Sequence, residues 1–428
     1  PHREQKAGDT VQWTVTVENR GDAPFRRLRA WTSCEKNPFF DRREFVFGTV
    51  PPGEKRSWTV PVKLPRGLDT RRDEVVFKFE DEAGKAPPDL TTTIAVVEVP
   101  RPTFAFTVQV DDRKDGNGDG LPQRGESFDV RVDVRNAGNG ISGDKTYVLL
   151  KNEGDEKLFI TKGRDVLGAM KPGEVRSARM QVELKRGSTS EHLPIRVMVW
   201  DEKTDQRVSD ELQLPVARDA PAATPARGSV RVRVGKASLR SGGSPTAPVL
   251  AVASQGAAFP VEALAGDYYR VTWKSGRTAF LAAADVSASL GKARGSAAAE
   301  VWQHDPPRLT FTPDPARGAP VVDADTIRVT GTASIPPGAA PGTRLRDLFI
   351  YVNEQKVFFK VLPEDAGAAK LDFSADVPLQ PGNNSIVIFA RETEDLQTVR
   401  SIVVQRRTAA VAAEAIRAPK AEERTQAQ

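Results

Sequence analysis

The chain has 428 residues, too many for one compact core, so roughly two to four domains are expected. Its 62 Lys and Arg are interspersed with 57 Asp and Glu, and aromatic residues make up only 7%, which speaks against a nucleic-acid groove or a base-stacking platform. The single cysteine, Cys34, permits no internal disulfide, and no apolar run approaches the roughly 18 residues needed for a membrane-spanning helix.

From the start, apolar and polar residues alternate. "VQWTVTVEN" at 11–19, "RSWTVPVKL" at 56–64 and "EVVFKFED" at 74–81 all have period two. "FDVRVDVRN" at 128–136, "IRVMVWDE" at 195–202, "DTIRVTGTA" at 325–333 and "SIVIFARE" at 385–392 continue the pattern. Turn clusters punctuate these runs: "NRGD", "PPGE", "NAGNG", "KPGE" and "QPGNN". With 33 Gly, 32 Pro and no amphipathic helical pattern, the reading is all-β.

The first half repeats itself. Residues 7–25 align with 124–142 at an offset of 117, and 47–67 with 167–187 at an offset of 120. Both copies keep Asn-x-Gly after a strand (Asn19 and Gly21, Asn136 and Gly138) and Pro-Gly-Glu before a later one (Pro52–Glu54, Pro172–Glu174). The expected reason is turn chemistry, with Gly and Asn supplying positive φ and Pro presetting a corner. Each copy has the strand spacing of a sandwich. The strand "FAFTVQV" at 104–110 opens the second copy, and its counterpart would precede Pro1. The first copy is therefore expected to lack an opening strand. A chain starting at Pro1 without a signal peptide reads as a piece of a larger product, with export encoded upstream.

Four modules follow. Residues 1–100 are the first β-sandwich and 101–216 the second. A Pro/Ala linker at 217–229 precedes a small β-barrel at 230–287, and a second linker at 288–305 precedes a β-sandwich at 306–406. Residues 407–428 form a flexible Ala/Glu/Arg-rich tail.

Between the first two strands of the second copy lies "DGNGDGLPQRGE", residues 115–126, which has the spacing of an EF-hand calcium loop. Asp115, Asn117 and Asp119 take positions 1, 3 and 5, and Gly120 the sharp turn at 6. The Leu121 carbonyl takes 7, Gln123 the often water-bridged 9, and Glu126 the bidentate 12. The flanks are strands, not helices, so Ca²⁺ would act as a structural staple at a β corner. The competing reading is a flexible acidic turn.

Residues 230–287 resemble a bacterial SH3-like domain through Leu239-Arg240-Ser241-Gly242, Val249-Leu250, Gly256, Val261, Tyr268, Tyr269, Val271 and Gly276-Arg277-Thr278. The resemblance implies weak binding of peptidoglycan or envelope peptides by Tyr268, Tyr269 and Trp273. Asp267-Tyr268 and Ala279-Phe280 depart from the usual Gly-Trp pairs, and the competing reading makes these rings barrel core. The two repeats are similar to cell-adhesion-related sandwich modules of bacterial surface proteins. Through "VTGTAS", "YVNEQKV" and "VPLQPGNNSIVIFARE", the last block resembles a bacterial Ig-like domain. The whole order looks like the C-terminal accessory region of secreted, myxobacterial-type C-terminal processing (tail-specific) serine peptidases. That resemblance implies an upstream peptidase domain as partner and an exported location. It carries over no catalytic residue.

No stretch matches a metalloprotease, nucleophile-elbow or phosphate-loop pattern, and only His2, His192 and His304 could serve as bases. Cys34 is expected to be a small buried hydrophobe. The acid pairs Asp81-Glu82 and Asp201-Glu202 are expected to be solvated strand ends. Two readings of function remain. One is a non-catalytic arm that positions an exported serine peptidase at the envelope or presents substrates to it. The other is a stand-alone structural or adhesive surface protein.

Overall fold

Strands with one dry and one wet face must stack in pairs of sheets, and the chain does so in each of its sandwiches. The computed structural model describes residues 4–407 apart from 219, 221, 275–276, 292, 294 and 364–366; the expected tail beyond Arg407 lies outside the described residues. The chain is all-β: two repeated β-sandwiches, a small SH3-like barrel and an Ig-like β-sandwich.

The first sandwich contains β1 (Gln5–Lys6), β2 (Thr10–Glu18), β3 (Phe25–Ser33), β4 (Glu44–Val50), β5 (Lys55–Lys63), β6 (Arg71–Glu80) and β7 (Leu90–Val97). A sheet of order β1-β7-β6-β3-β4 faces the β2–β5 pair across a core that includes Leu28, Phe45, Val62 and Phe77. The second contains β8 (Phe104–Asp111), β9 (Ser127–Asn136), β10 (Thr146–Asn152), β11 (Leu158–Lys162), β12 (Arg164–Val166), β13 (Val175–Leu184), β14 (His192–Asp201) and β15 (Gln206–Pro215). Its sheets run β11-β13-β9-β8 and β12-β10-β14-β15. The repeat is kept residue for residue. Trp13 opposes Val60 in the first copy, and Val130 opposes Met180 at the equivalent rung of the second.

The Asn-x-Gly motif works differently from the expectation. Asn19 and Asn136 are fully buried and do not adopt positive φ. Each uses its side chain as a corner clamp. Asn136 Nδ2 donates to the carbonyls of Gly140 (2.8 Å) and Met170 (3.0 Å), and its Oδ1 accepts from the Gly138 amide (3.1 Å). Asn19 repeats this with Ala23, Val50 and Gly21. The backbone of the same residue pins the Pro-Gly-Glu turn, because the Gly173 amide donates to the Asn136 carbonyl (2.8 Å) and the Asn136 amide to the Glu174 carbonyl (3.0 Å). Gly53 and Gly173 are the residues with left-handed backbone, at φ 77° and 78°.

The acid pairs are corrected in their aspartates, while Glu82 and Glu202 are exposed as expected. Asp201 is fully buried, and its Oδ1 accepts from the Gly143 amide (2.8 Å) while Oδ2 holds the Thr204 hydroxyl. Asp81 is also buried and accepts from the Lys85 amide (2.5 Å). An acid at a strand end can bury itself when local amides replace its water.

The barrel closes around Leu239, Phe259, Val271 and Leu281, and the last module around Val329, Ile350, Val377 and Ile388. Neither linker hangs free. Thr224–Pro225 pairs with Ala258–Ala265, and Ala299–Glu300 extends Val249–Ser254. Trp302 is buried, and His304 bridges to Phe106. Pro/Ala composition concealed these pairings because open barrel and sandwich edges supply the partners.

The modules touch in a closed set. The last module meets the second through Arg196–Asp395 (2.6 Å) and through Leu396, which enters the second sandwich's core. It meets the first through Ser401–Asp69 (2.5 Å), Arg400–Glu98 (2.7 Å) and the Val403 amide on the Thr70 carbonyl (3.3 Å).

Replacing Asn136 by Ala leaves the buried Gly140 carbonyl and the Gly138 amide unpaired, while the Met170 carbonyl keeps the Ser142 amide. The expected loss is about 2–4 kcal/mol, read as a lower denaturant midpoint. An unchanged midpoint would remove the clamp from the account of the repeat.

Candidate functional site

Residues 112–126 connect β8 to β9 and form the most elaborate polar structure in the chain. Its centre is Asp112. The inward parity of Phe104, Phe106, Val108 and Val110 runs on to this residue, which is 1% exposed. Its oxygens accept the amides of Gly118 (2.9 Å), Asp119 (3.1 Å) and Gly120 (3.0 Å). Gly118 and Gly120 have φ of 81° and 75°, which lets the chain curl around the carboxylate.

Four of the six residues expected as ligands gather there. Asn117 Oδ1 accepts from the Asp119 amide (3.0 Å). Asp119 Oδ1 accepts from the Leu121 amide (2.8 Å), and its Oδ2 accepts from Asn117 Nδ2 (3.2 Å) and Gln123 Nε2 (3.3 Å). Glu126 Oε1 accepts from the Asn117 amide (3.0 Å), while Oε2 is buried without a partner. Leu121 enters through its amide. Asp115 does not join. The Gly116 amide closes a tight turn on the Asp112 carbonyl (2.8 Å), which leaves Asp115 outside, more than half exposed and 3.6 Å from Lys114. The inner acid is therefore Asp112, three residues before the expected start. The EF-hand spacing concealed it, although the period-two parity of β8 pointed to it.

Burial, then the charges of Asp112 and Asp119, push Glu126 up to about 7, and burial, then the charge of Asp119, pushes Asp112 up to about 6. Burial also raises Asp119. Among the described residues none of the three forms an ion pair with Lys or Arg. Nor do three His, Cys, Asp or Glu side chains converge there as a ready cage, because backbone amides occupy the Asp112 carboxylate.

The loop is also a wedge between modules. Its Gly118 carbonyl accepts from Arg270 (2.8 Å), and the Asp119 carbonyl from the Gly243 amide (2.8 Å). The Asn117 carbonyl accepts from the Ala223 amide (2.8 Å), so the first expected linker is fastened to it. A Cβ on Gly120 would lie 2.7 Å from the Phe280 ring and 2.9 Å from the Ser241 carbonyl. Beside it, Gln109 donates to the carbonyls of Ser241 and Thr278, both at 3.1 Å. Sequence reasoning gave Gln109 no role.

The barrel aromatics do not form one platform. Tyr269 lies against the barrel core. Trp273 is 7% exposed, with the Arg277 guanidinium 4.7 Å from its ring centre. Tyr268 precedes Tyr269 on the same strand and so points to the opposite face. Cys34 is buried, and its thiol is pushed up to about 11, first by burial and then by the charge of Asp73. His192 is exposed, and His304 Nδ1 sits 2.8 Å from Asp210 with its ring stacked on Phe106 at 4.5 Å.

No family model matches the chain, and no curated protein matches it. Among solved structures it is similar to the fibronectin(III)-like modules of Clostridium thermocellum CbhA, at 11% identity over 50% of this chain and 88% of that one, TM-score 0.20. It is also similar to a protein of unknown function from Porphyromonas gingivalis W83, at 15% identity over 49% and 94%, TM-score 0.16. A DUF3823 family protein from Bacteroides ovatus shows 16% identity over 48% and 98%, TM-score 0.17. Scores this low carry no inference about function.

A second buried acid lies between modules. Burial, then the charges of Asp210 and Asp305, push Glu392 up to about 8. Asp210 is held by His304 and Asp305 by Arg135 (2.6 Å). A folded-state pKa above the usual carboxylate value favours the fold while the group is protonated. That contribution is complete below about pH 4.5 and is lost as pH rises through about 8. Glu392→Gln is expected to raise the melting temperature at pH 9 and to flatten its fall between pH 5 and 9. A variant with the parent's pH profile would contradict this.

Proposed function

We propose that this chain is the non-catalytic accessory region of an exported serine peptidase, a preformed scaffold that positions the protease at the cell envelope or presents substrates to it. The observation that carries the reading is the docking of every module on another through polar contacts, with 112–126 as the central wedge. A scaffold of this kind transmits position. Nothing in its described residues pairs a nucleophile with a base: the Cys34 thiol is held neutral, and the His304 ring is committed to Asp210 and Phe106. The purified chain is expected to hydrolyse neither casein nor peptides. Activity that survives repurification and disappears on substituting a residue of this chain would overturn the reading. So would a coding sequence upstream of Pro1 that carries only further sandwich repeats.

The second part of the proposal is that the loop takes Ca²⁺ as a staple at the barrel junction. Support comes from the donor chemistry: three carboxylates with no Lys or Arg in ion-pair contact among the described residues, and the orphaned, buried Glu126 Oε2. Asn117, Asp119, Gln123 and Glu126 would hold the ion beside Asp112, whose carboxylate the backbone amides occupy, and its charge would offset the repulsion that adds to burial in raising the acids. Extracellular calcium modules bind at about 10⁻⁴–10⁻³ M, so about 1 mM Ca²⁺ adds about 0.4–1.4 kcal/mol. For a cooperative unit of about 150–250 residues, this is a rise of roughly 1–6 °C in melting temperature at pH 8. The same melt with chelator supplies the reference. Equal melting temperatures, or a Glu126→Gln variant with the full calcium response, would remove calcium from the account.

A further inference from the structure

A sandwich sheet keeps apolar side chains on its inner face and polar ones on its outer face. The last module departs from this at one place. On the strands Asp347–Val352 and Gly382–Arg391, Leu348, Ile350, Ile386 and Ile388 fill the core. The alternate residues Phe349, Tyr351, Val387 and Phe389 therefore point outward. Phe349 is paired with Phe359 on one side and Phe389 on the other, and Phe389 with Val399, so an apolar rung crosses the sheet. Phe349 and Phe389 stack at 4.7 Å, and Tyr351 stands across both rings at 77° and 69°.

Beside these rings the first and last modules enclose a groove of about 1040 Å³. Tyr351, Val387 and Phe389 line it from the last module, and Lys36, Asp69 and Arg71 from the first. Its charges balance, with Lys36, Arg71 and Arg391 against Asp69, Glu354 and Glu394. Both guanidinium groups are already committed. Asp73 holds Arg71 and Asp347 holds Arg391, each through two bonds of 2.7 Å. The remaining polar lining is neutral: Asn353, Asn383, Ser385 and Gln397. Asn383 Nδ2 donates to the Arg72 carbonyl (2.6 Å) and to Asp73 Oδ1 (3.1 Å), which fixes the orientation of the amide. Its Oδ1 is then a buried acceptor with no partner.

We propose that this groove binds a neutral polysaccharide, as a short run of sugar rings lying against Tyr351 and Phe389. A pyranose has a C–H face that packs on an aromatic ring and a rim of hydroxyls that donate and accept. Asn353, Asn383, Ser385 and Gln397 offer the complementary groups. An anionic polymer would find no excess of cations here. A peptide fits less well for two reasons. Both strands that carry the rings are paired on each side, so no edge is open for strand addition. A proline-rich segment, the usual peptide of aromatic grooves, lacks the N–H donors that Asn383 Oδ1 and the carboxylates require. The site stands whether or not a peptidase lies upstream.

The test titrates cellohexaose, chitohexaose, xylohexaose and maltohexaose separately into the full chain by calorimetry. Saturable binding of at least one is expected, and Tyr351→Ala is expected to weaken it about tenfold. Because Tyr351→Ala also removes ring contacts inside the module, Ser385→Lys is measured beside it. Ser385 is exposed on the same strand face as Val387 and Phe389, so the longer side chain enters the groove without touching the core. Ser385→Lys is expected to block binding at the parent's melting temperature. Three outcomes overturn the proposal. One is no saturable binding of any of these sugars, including the case in which a proline-rich peptide binds instead. Another is sugar binding that neither variant weakens. The third is binding that Tyr268→Ala removes and Tyr351→Ala leaves intact, which would assign it to the barrel.

Discussion

The Asp112 carboxylate is the constraint on which the arrangement of modules depends. One buried anion receives three successive amides, from Gly118, Asp119 and Gly120, and so fixes the curl of the loop. Once curled, the loop offers three carbonyls outward, to Arg270, Gly243 and Ala223. The barrel and the first linker are therefore held by backbone atoms whose direction one side chain determines. Charge-assisted bonds of this kind are among the stronger ones available, and losing the acceptor would strand several buried donors at once. The same anion is kept near two others, so the strongest organising contact of the loop is also its main source of repulsion.

The repeats show how one strand face is put to two uses. On β9, Arg131 and Asp133 are buried, and Asp133 lies 2.9 Å from Arg277 of the barrel and in contact with Ser177. At the equivalent places on β2 stand Thr14 and Thr16, exposed and bonded across the ladder to Thr59 and Ser57, both at 2.8 Å. A short hydroxyl ladder suits a wet face, and a buried charge pair suits a joint. The exchange of two side chains turns a sandwich face into an interface without altering strand register.

Much of this was legible in the sequence, for a physical reason: period-two alternation and turn residues act locally. The all-β class, the four modules, the repeat and the rung-to-rung correspondence of Trp13 with Val130 all follow from patterns a few residues long. What stayed hidden depends on contacts between distant segments. The expected linkers look structureless because Ala and Pro have little apolar surface, yet neighbouring edges pair with them. The loop spacing points to Asp115, and only strand parity distinguishes the inner acid, Asp112, from the outer. Asn19 and Asn136 stood out correctly, but their work lies in side-chain amides reaching carbonyls 31 and 34 residues away.

Both ends of the described chain come to the same corner. Glu4 reaches the 318–322 segment near Gly318 and approaches Arg72 at 3.5 Å. The Gln405 amide meets the Pro320 carbonyl (3.0 Å), and the Arg407 amide meets that of Val322 (2.9 Å). A pull applied between these ends would not travel only through the modules in series. It would also be carried by the seam between the first and last modules, where Ser401, Arg400 and Asn383 grip the first sandwich. With its two described ends meeting at this seam, the molecule is laid out as a clasp and not as a chain of beads.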